Sequence, residues 1–112
     1  MAWLTRGEEI LAPLEVAATP WARTRGLLGR DGIDGALLIS PSKAVHTLGM
    51  RFPIDVAFCD RTLRIIEVVT MVPNRLGKPR WRARCIIEAE AGGFAKWGVG
   101  PGDLVGVRDD RE

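Results

Sequence analysis

A chain of 112 residues with 46% hydrophobic content has the size of one domain, and can bury a core without metal or disulfide staples. A net charge of +2 excludes a global field that draws the protein to polyanions, and three Phe, four Trp and no Tyr leave little for an extended stacking surface. No apolar run approaches the roughly 20 residues of a membrane-spanning helix, and no basic stretch followed by a long apolar one opens the chain, so the expected setting is the cytoplasm.

Thirteen glycines and seven prolines signal many turns and favour a β-rich fold. Trp3-Leu4 and Ile10 to Ala18 read as two extended pieces joined at Arg6-Gly7, with Pro13 marking an edge or a bulge. Thr19-Pro20 opens a short helix, with Thr as N-cap and Pro at the first helical position. Leu27 and Leu28 would form its apolar face and Gly29 would end it. Gly35 to Ser40 is a short apolar run stopped by Pro41, as a buried strand requires. Val45 to Met50 is expected to be extended.

Pro53 biases Phe52 away from helix. Ile54, Val56 and Phe58 then alternate with Asp55, Ala57 and Cys59, the period of a strand. After a turn at Asp60 to Leu63, the β-branched run from Arg64 to Val72 pairs back as a hairpin. Pro73 to Pro79 is a loop. From Arg80 to Glu88 the chain alternates again, Arg80, Arg82 and Arg84 against Trp81, Ala83 and Cys85. Gly92-Gly93 opens a second short helix, and Phe94 and Trp97 stand one turn apart on it. Pro101-Gly102 makes a turn and Leu104 to Val107 a closing strand. The reading is an α+β fold, predominantly β: a single barrel-like sheet with two short helices, residues 1–112 forming one domain. Cys59 and Cys85 are far apart in sequence, without Cys-x-x-Cys spacing, and are expected as reduced core thiols.

With these elements placed, the chain resembles the bacterial and archaeal domain of unknown function 192 family. The matching residues are Arg25-Gly26-Leu27-Leu28-Gly29-Arg30, then His46-Thr47 with Met50-Arg51-Phe52-Pro53-Ile54-Asp55. Pro73, Glu88, Gly92, Gly98 and Gly102-Asp103 complete the pattern. They span about residues 16 to 108. The resemblance implies a compact β-rich fold with short helices and no established activity. Many relatives carry an N-terminal export signal of a kind not seen here.

Three constellations can carry chemistry. The only histidine, His46, lies within ten residues of Met50 and Asp55. A carboxylate accepting an imidazole N–H would fix the tautomer of a base or a ligand-binding ring. The structural alternative is a histidine packed on Met50 at a sheet edge. No nucleophile lies in the motif, so no catalytic residue is assigned, although a hydrolase-like His46/Asp55 pair remains as an alternative. A zinc site needs three or four ligands, and one His with two scattered Cys supplies none of the known spacings. No metal and no cofactor are expected.

Arg25 and Arg30, the second constellation, straddle the helix end and can clamp an anion. The competing structural role is a tie from Arg25 to Asp55 or Glu88, and it is the favoured one. Glu88 closes an apolar run, where it either meets such donors or faces a pocket.

The third is Arg80, Arg82 and Arg84 with Trp81, which can hold phosphates and stack a base. A basic strand also protects a sheet edge from aggregation. With no nucleic-acid-binding motif present, the sequence argues against nucleic acid. The leading expectation is a non-enzymatic accessory domain binding a small molecule or peptide, monomeric or weakly dimeric. Its concavity would be lined by His46, Met50, Asp55 and Glu88, with Arg25 orienting an anionic group.

Overall fold

A computed structural model describes residues 1–110. Strands β1 (Ala2–Arg6) and β2 (Glu9–Ala17) lead into helix α1 (Pro20–Arg25). Strands β3 (Ala36–Ile39), β4 (Ile54–Cys59), β5 (Ile65–Met71) and β6 (Cys85–Glu90) follow, then helix α2 (Gly93–Lys96) and strand β7 (Gly106–Asp109). All seven strands form one sheet in the order β5-β4-β6-β3-β2-β1-β7. Only β2 and β3 pair in parallel, and α1 lies in their connection. The remaining pairings are antiparallel.

The α+β, mainly β reading holds, but the barrel stays open. The sheet curls until the start of β5 meets the segment ahead of β7. Arg64 bridges Leu104 there, and the Ile65 amide donates to Asp103 O at 2.8 Å. No continuous ladder joins the two edge strands.

The central strands β3, β4 and β6 are buried on both faces, apart from Glu90 at the end of β6. One face collects Leu4, Leu38, Ala57, Cys59, Ile65, Ile87 and Ala89 around Phe94 of α2. The other collects Leu37, Ile39, Ile54, Val56, Phe58 and Ile86 beneath Leu27, Val45 and Met50. Because successive strand residues point to opposite faces, the alternation along β4 and β6 decides which side each polar residue serves.

Thr19 caps α1 as expected, its Oγ1 accepting from the Ala22 amide at 3.0 Å. The helix stops earlier than expected. Gly26, at φ 53°, is the cap, and Leu27 and Leu28 follow the helix instead of forming its face. Pro13 marks neither an edge nor a bulge. It sits inside the sheet opposite Trp3, and the register slips at Leu4/Thr5 instead. A Cβ at Gly35 would collide with the Pro13 carbonyl, so only glycine lets the chain enter β3 this close to β2. Cys59 and Cys85 face each other across β4 and β6 as buried free thiols. The neighbouring Cys85 thiol, together with burial, raises the Cys59 thiol above the ordinary cysteine range, and the two thiols donate to Ala57 O and Asp60 O.

Two extended readings fail. Val45 to Met50 is a loop whose ladder contact is a single bridge from His46 to Leu76. Arg80 to Arg84 is a turn, and the strand begins at Cys85. The Ala83 amide folds back onto Arg80 O, and the Arg80 amide donates to Lys43 O rather than to a neighbouring strand.

Candidate functional site

The loop from Val45 to Met50 is held from behind. Thr47, fully buried, donates its hydroxyl to Val72 O at 2.7 Å, and its amide donates to Arg75 O at 2.8 Å. Asn74 returns the contact, accepting the Gly49 amide at 2.9 Å on Oδ1. The Gly77 amide donates to Val45 O at 2.9 Å. These bonds fix the loop against residues 72–77. Its front, carrying His46 and Met50, faces the turn that ends α1.

Between the loop and that turn lies a cavity of about 60 Å³. Arg25, His46, Met50 and Glu88 all line it, as do Arg23 and Ser42. Its walls are otherwise apolar, from Leu27, Ile39, Val45 and Ile86. Glu88 forms part of this lining from β6, where it stands opposite Val56 of β4 and Leu37 of β3. It is 4% exposed, yet its carboxyl makes no hydrogen bond or ion pair with any described residue. Burial alone lifts its pKa to about 7, far above an ordinary glutamate. Gly26 makes room for it, because a side chain there would stand 3.1 Å from Glu88 Oε1.

The mouth carries donors. Arg25, exposed, makes no ion pair with Asp55, Glu88 or any other described acid. Its Nε donates to Leu28 O at 3.2 Å, which leaves the two terminal nitrogens of the guanidinium available. His46 is also exposed, and its Nδ1 accepts the Leu48 amide at 3.3 Å. The neutral ring therefore carries its proton on Nε2, as a donor.

Asp55 is not part of this cavity. It alternates with Ile54 and Val56, so it points to the opposite face of the sheet. There its Oδ1 accepts the Thr70 hydroxyl at 2.6 Å and its Oδ2 accepts the amide of Gly92, the N-cap of α2, at 2.8 Å. The expected His46–Asp55 pair does not exist, and the hydrolase arrangement built on it falls with it.

The second constellation also separates. Arg30 forms a bidentate bridge to Glu15, at 2.7 and 3.0 Å, and Arg25 does not share it. In the third, Arg80 is committed to the fold. Its Nε and Nη2 donate to Glu67 at 3.0 and 3.2 Å, and the guanidinium lies 4.4 Å from the Phe58 ring centroid. Arg84 donates to Trp81 O and Ala83 O. Trp81 is 75% exposed, with the Lys43 ammonium over its ring. These residues form a knot around a turn, and the basic strand face expected for phosphates is absent. Among the described residues no three His, Cys, Asp or Glu side chains gather as a metal site, and no helix is long and apolar enough to cross a membrane.

Sequence reasoning missed Arg23, Ser42 and the buttress of Thr47 and Asn74. Thr47 stood in the matched motif. Its apolar surroundings were the available sign of a buried, bond-making hydroxyl.

The chain matches the family model of domain of unknown function 192, described as Uncharacterized ACR, over residues 2–107, and it belongs to that family. It is 41% identical over 49 residues to a UPF0127 protein of Pyrococcus horikoshii. That match spans 44% of this chain and 43% of the relative, under half the length of either. Two crystal structures share the fold, each with a TM-score of 0.78. One is a protein of unknown function from Novosphingobium aromaticivorans, at 20% identity, covering 94% of this chain and 82% of that one. The other, from Sinorhizobium meliloti, is described as a proposed transcription regulator, at 21% identity, covering 95% and 91%.

Proposed function

From that family membership and the cavity's geometry, we propose that this chain is a non-enzymatic domain that binds a small molecule or a peptide terminus between the end of α1 and the loop 45–50. The observation that carries the reading is Glu88. Its carboxyl takes no donor from the protein and meets the cavity instead, which leaves room for a ligand donor as its partner. Arg25 and the His46 Nε2–H supply donors at the mouth for an acceptor group of the same ligand. Met50 and Ile86 give apolar walls. No nucleophile stands in the cavity with a base behind it, which favours binding over covalent chemistry. The reading includes the cytoplasmic setting and the monomer or weak dimer expected from the sequence.

Amide chemical shifts under a fragment mixture test it. Binders should perturb Gly26, Leu27, Val45 to Leu48 and Glu88 together, and Glu88→Gln should weaken the effect. Perturbations confined to other surfaces, or none at all, would sink the proposal.

A further inference from the structure

Resting on that reading, we propose that the ligand is a small zwitterion of the amino-acid class, its ammonium seated on Glu88 and its carboxylate held at the mouth by Arg25 and His46. Three observations point this way.

First, the chemistry of the cavity is split by depth. Glu88, at 4% exposure, brings its carboxylate to the cavity without a protein partner, whereas Arg23, Arg25 and His46 offer donors around it. A ligand with a donor at one end and an anionic acceptor at the other meets both without leaving Glu88 unpaired.

Second, the cavity has room for a small group. About 60 Å³ is several times the roughly 10–15 Å³ that one water needs, enough for an ammonium and the carbon that bears it. Leu27, Ile39, Val45, Met50 and Ile86 give the cavity an apolar side beside the polar groups. The carbon of an aminomethyl group matches that side.

Third, the charges favour an ammonium despite the rim cations. Arg25 is exposed, so solvent and salt weaken its repulsion, while attraction to a buried carboxylate is screened far less. A divalent cation is a worse occupant, since one carboxylate and one imidazole are too few ligands.

Binding is then coupled to protons. The groups that face Glu88 are Arg23 and Arg25 from α1 and His46 from the loop. Its neighbours Ile39 on β3, Val56 on β4 and Ile86 on β6 carry no charge. Glu90, on its own strand, instead accepts the Ile33 amide. With its pKa near 7, Glu88 holds a proton in mildly acidic solution, and an arriving ammonium displaces it. Affinity should fall as pH drops through 7, approaching tenfold per pH unit once well below it.

The full chain is titrated by calorimetry and amide shifts with glycine, β-alanine and 4-aminobutyrate. Methylammonium and acetate serve as half-ligands, and glycinamide as a cation whose carboxylate is replaced by a neutral amide. One of the three amino acids should bind at pH 8 at least tenfold tighter than either half-ligand or glycinamide. That binding should weaken about fivefold between pH 7 and pH 6. Glu88→Gln, which removes an unpaired charge and should fold, is expected to lose at least tenfold at pH 8, and Arg25→Ala to lose less. Acetate binding as tightly as an amino acid and surviving Glu88→Gln would overturn the inference. So would glycinamide equal to glycine, or no amine shifting the cavity resonances. If fragments other than amines still shift those resonances, the cavity remains a binding site and only the ligand class is wrong. If nothing does, both readings fall.

Discussion

Two carboxylates are buried in the same sheet to nearly the same depth, Asp55 at 5% and Glu88 at 4% exposure. They sit on neighbouring strands and opposite faces. Asp55 accepts a hydroxyl from β5 and the N-cap amide of α2, so it ties three elements together. Glu88 accepts nothing from the protein and looks into a cavity. A carboxylate held by good donors supports the packing around it, and one that meets only a cavity does not. The first acid therefore belongs to the fold and the second to the cavity, which is why the functional proposal rests on Glu88.

The sharpest way to break this contrast is to remove each acid in turn. Asp55→Ala orphans the Gly92 amide and the Thr70 hydroxyl, and should destabilise the protein by about 2 to 4 kcal/mol in urea denaturation. An unchanged midpoint would mean that Asp55 is no more structural than Glu88.

Glu88→Gln should act in the opposite direction. The folded acid titrates near 7 against an ordinary value of 4.5. Between those values the native state holds a proton that the unfolded chain has lost. Native stability is thus fullest below about pH 4.5 and declines as pH rises through 7. Abolishing the charge should make the variant more stable than the parent at pH 8, on the order of 1 to 3 kcal/mol, with the gap closing by pH 5. Parallel melting curves from pH 5 to 8 would show that Glu88 finds a partner after all.

A third acid sharpens the comparison at the surface. Glu67 is paired with Arg80, whose hydrogen bonds hold its pKa below the usual glutamate range. Partners this exposed contribute little. Arg80→Ala should cost about 1 kcal/mol at neutral pH, part of it through lost contact with Phe58. The pairing share is present above the ordinary glutamate range and fades as pH falls through Glu67's lowered one. Arg82→Ala should stay within about 0.5 kcal/mol. Equal losses from both would return weight to a basic surface acting as a unit.

Much of this was legible in the chain. The alternation of Ile54, Val56 and Phe58, followed by a β-branched run, specified the β4–β5 hairpin. Thr19-Pro20 marked the helix start, because capping is local chemistry. The same alternation already set Asp55 on the side away from Ile54 and Val56. What could not be read was which side the His46 loop would cover, since that depends on Thr47 bonding to Val72 and Arg75, residues remote in sequence. Arg80 to Arg84 misled for a related reason. A two-residue period is necessary for a strand but not sufficient, and here Glu67 and Lys43, distant in sequence, draw Arg80 into a turn. Arg25, Met50 and Glu88, from three separate segments, line one cavity with His46.

The short strand β3 has a bearing on how the molecule assembles. Its four residues are flanked by the two connections that wall the cavity, the α1 crossover before it and the loop carrying His46 after it. Leu37 on β3 must pair with Glu88, far along the chain, before either wall has a floor to rest on. Contacts between such distant residues form late, because the intervening chain loses its freedom before they reward it. The cavity is thus among the last features to appear during folding. A chain with only its hairpin and first strands in place offers a ligand no seat, so occupancy would report that assembly is complete.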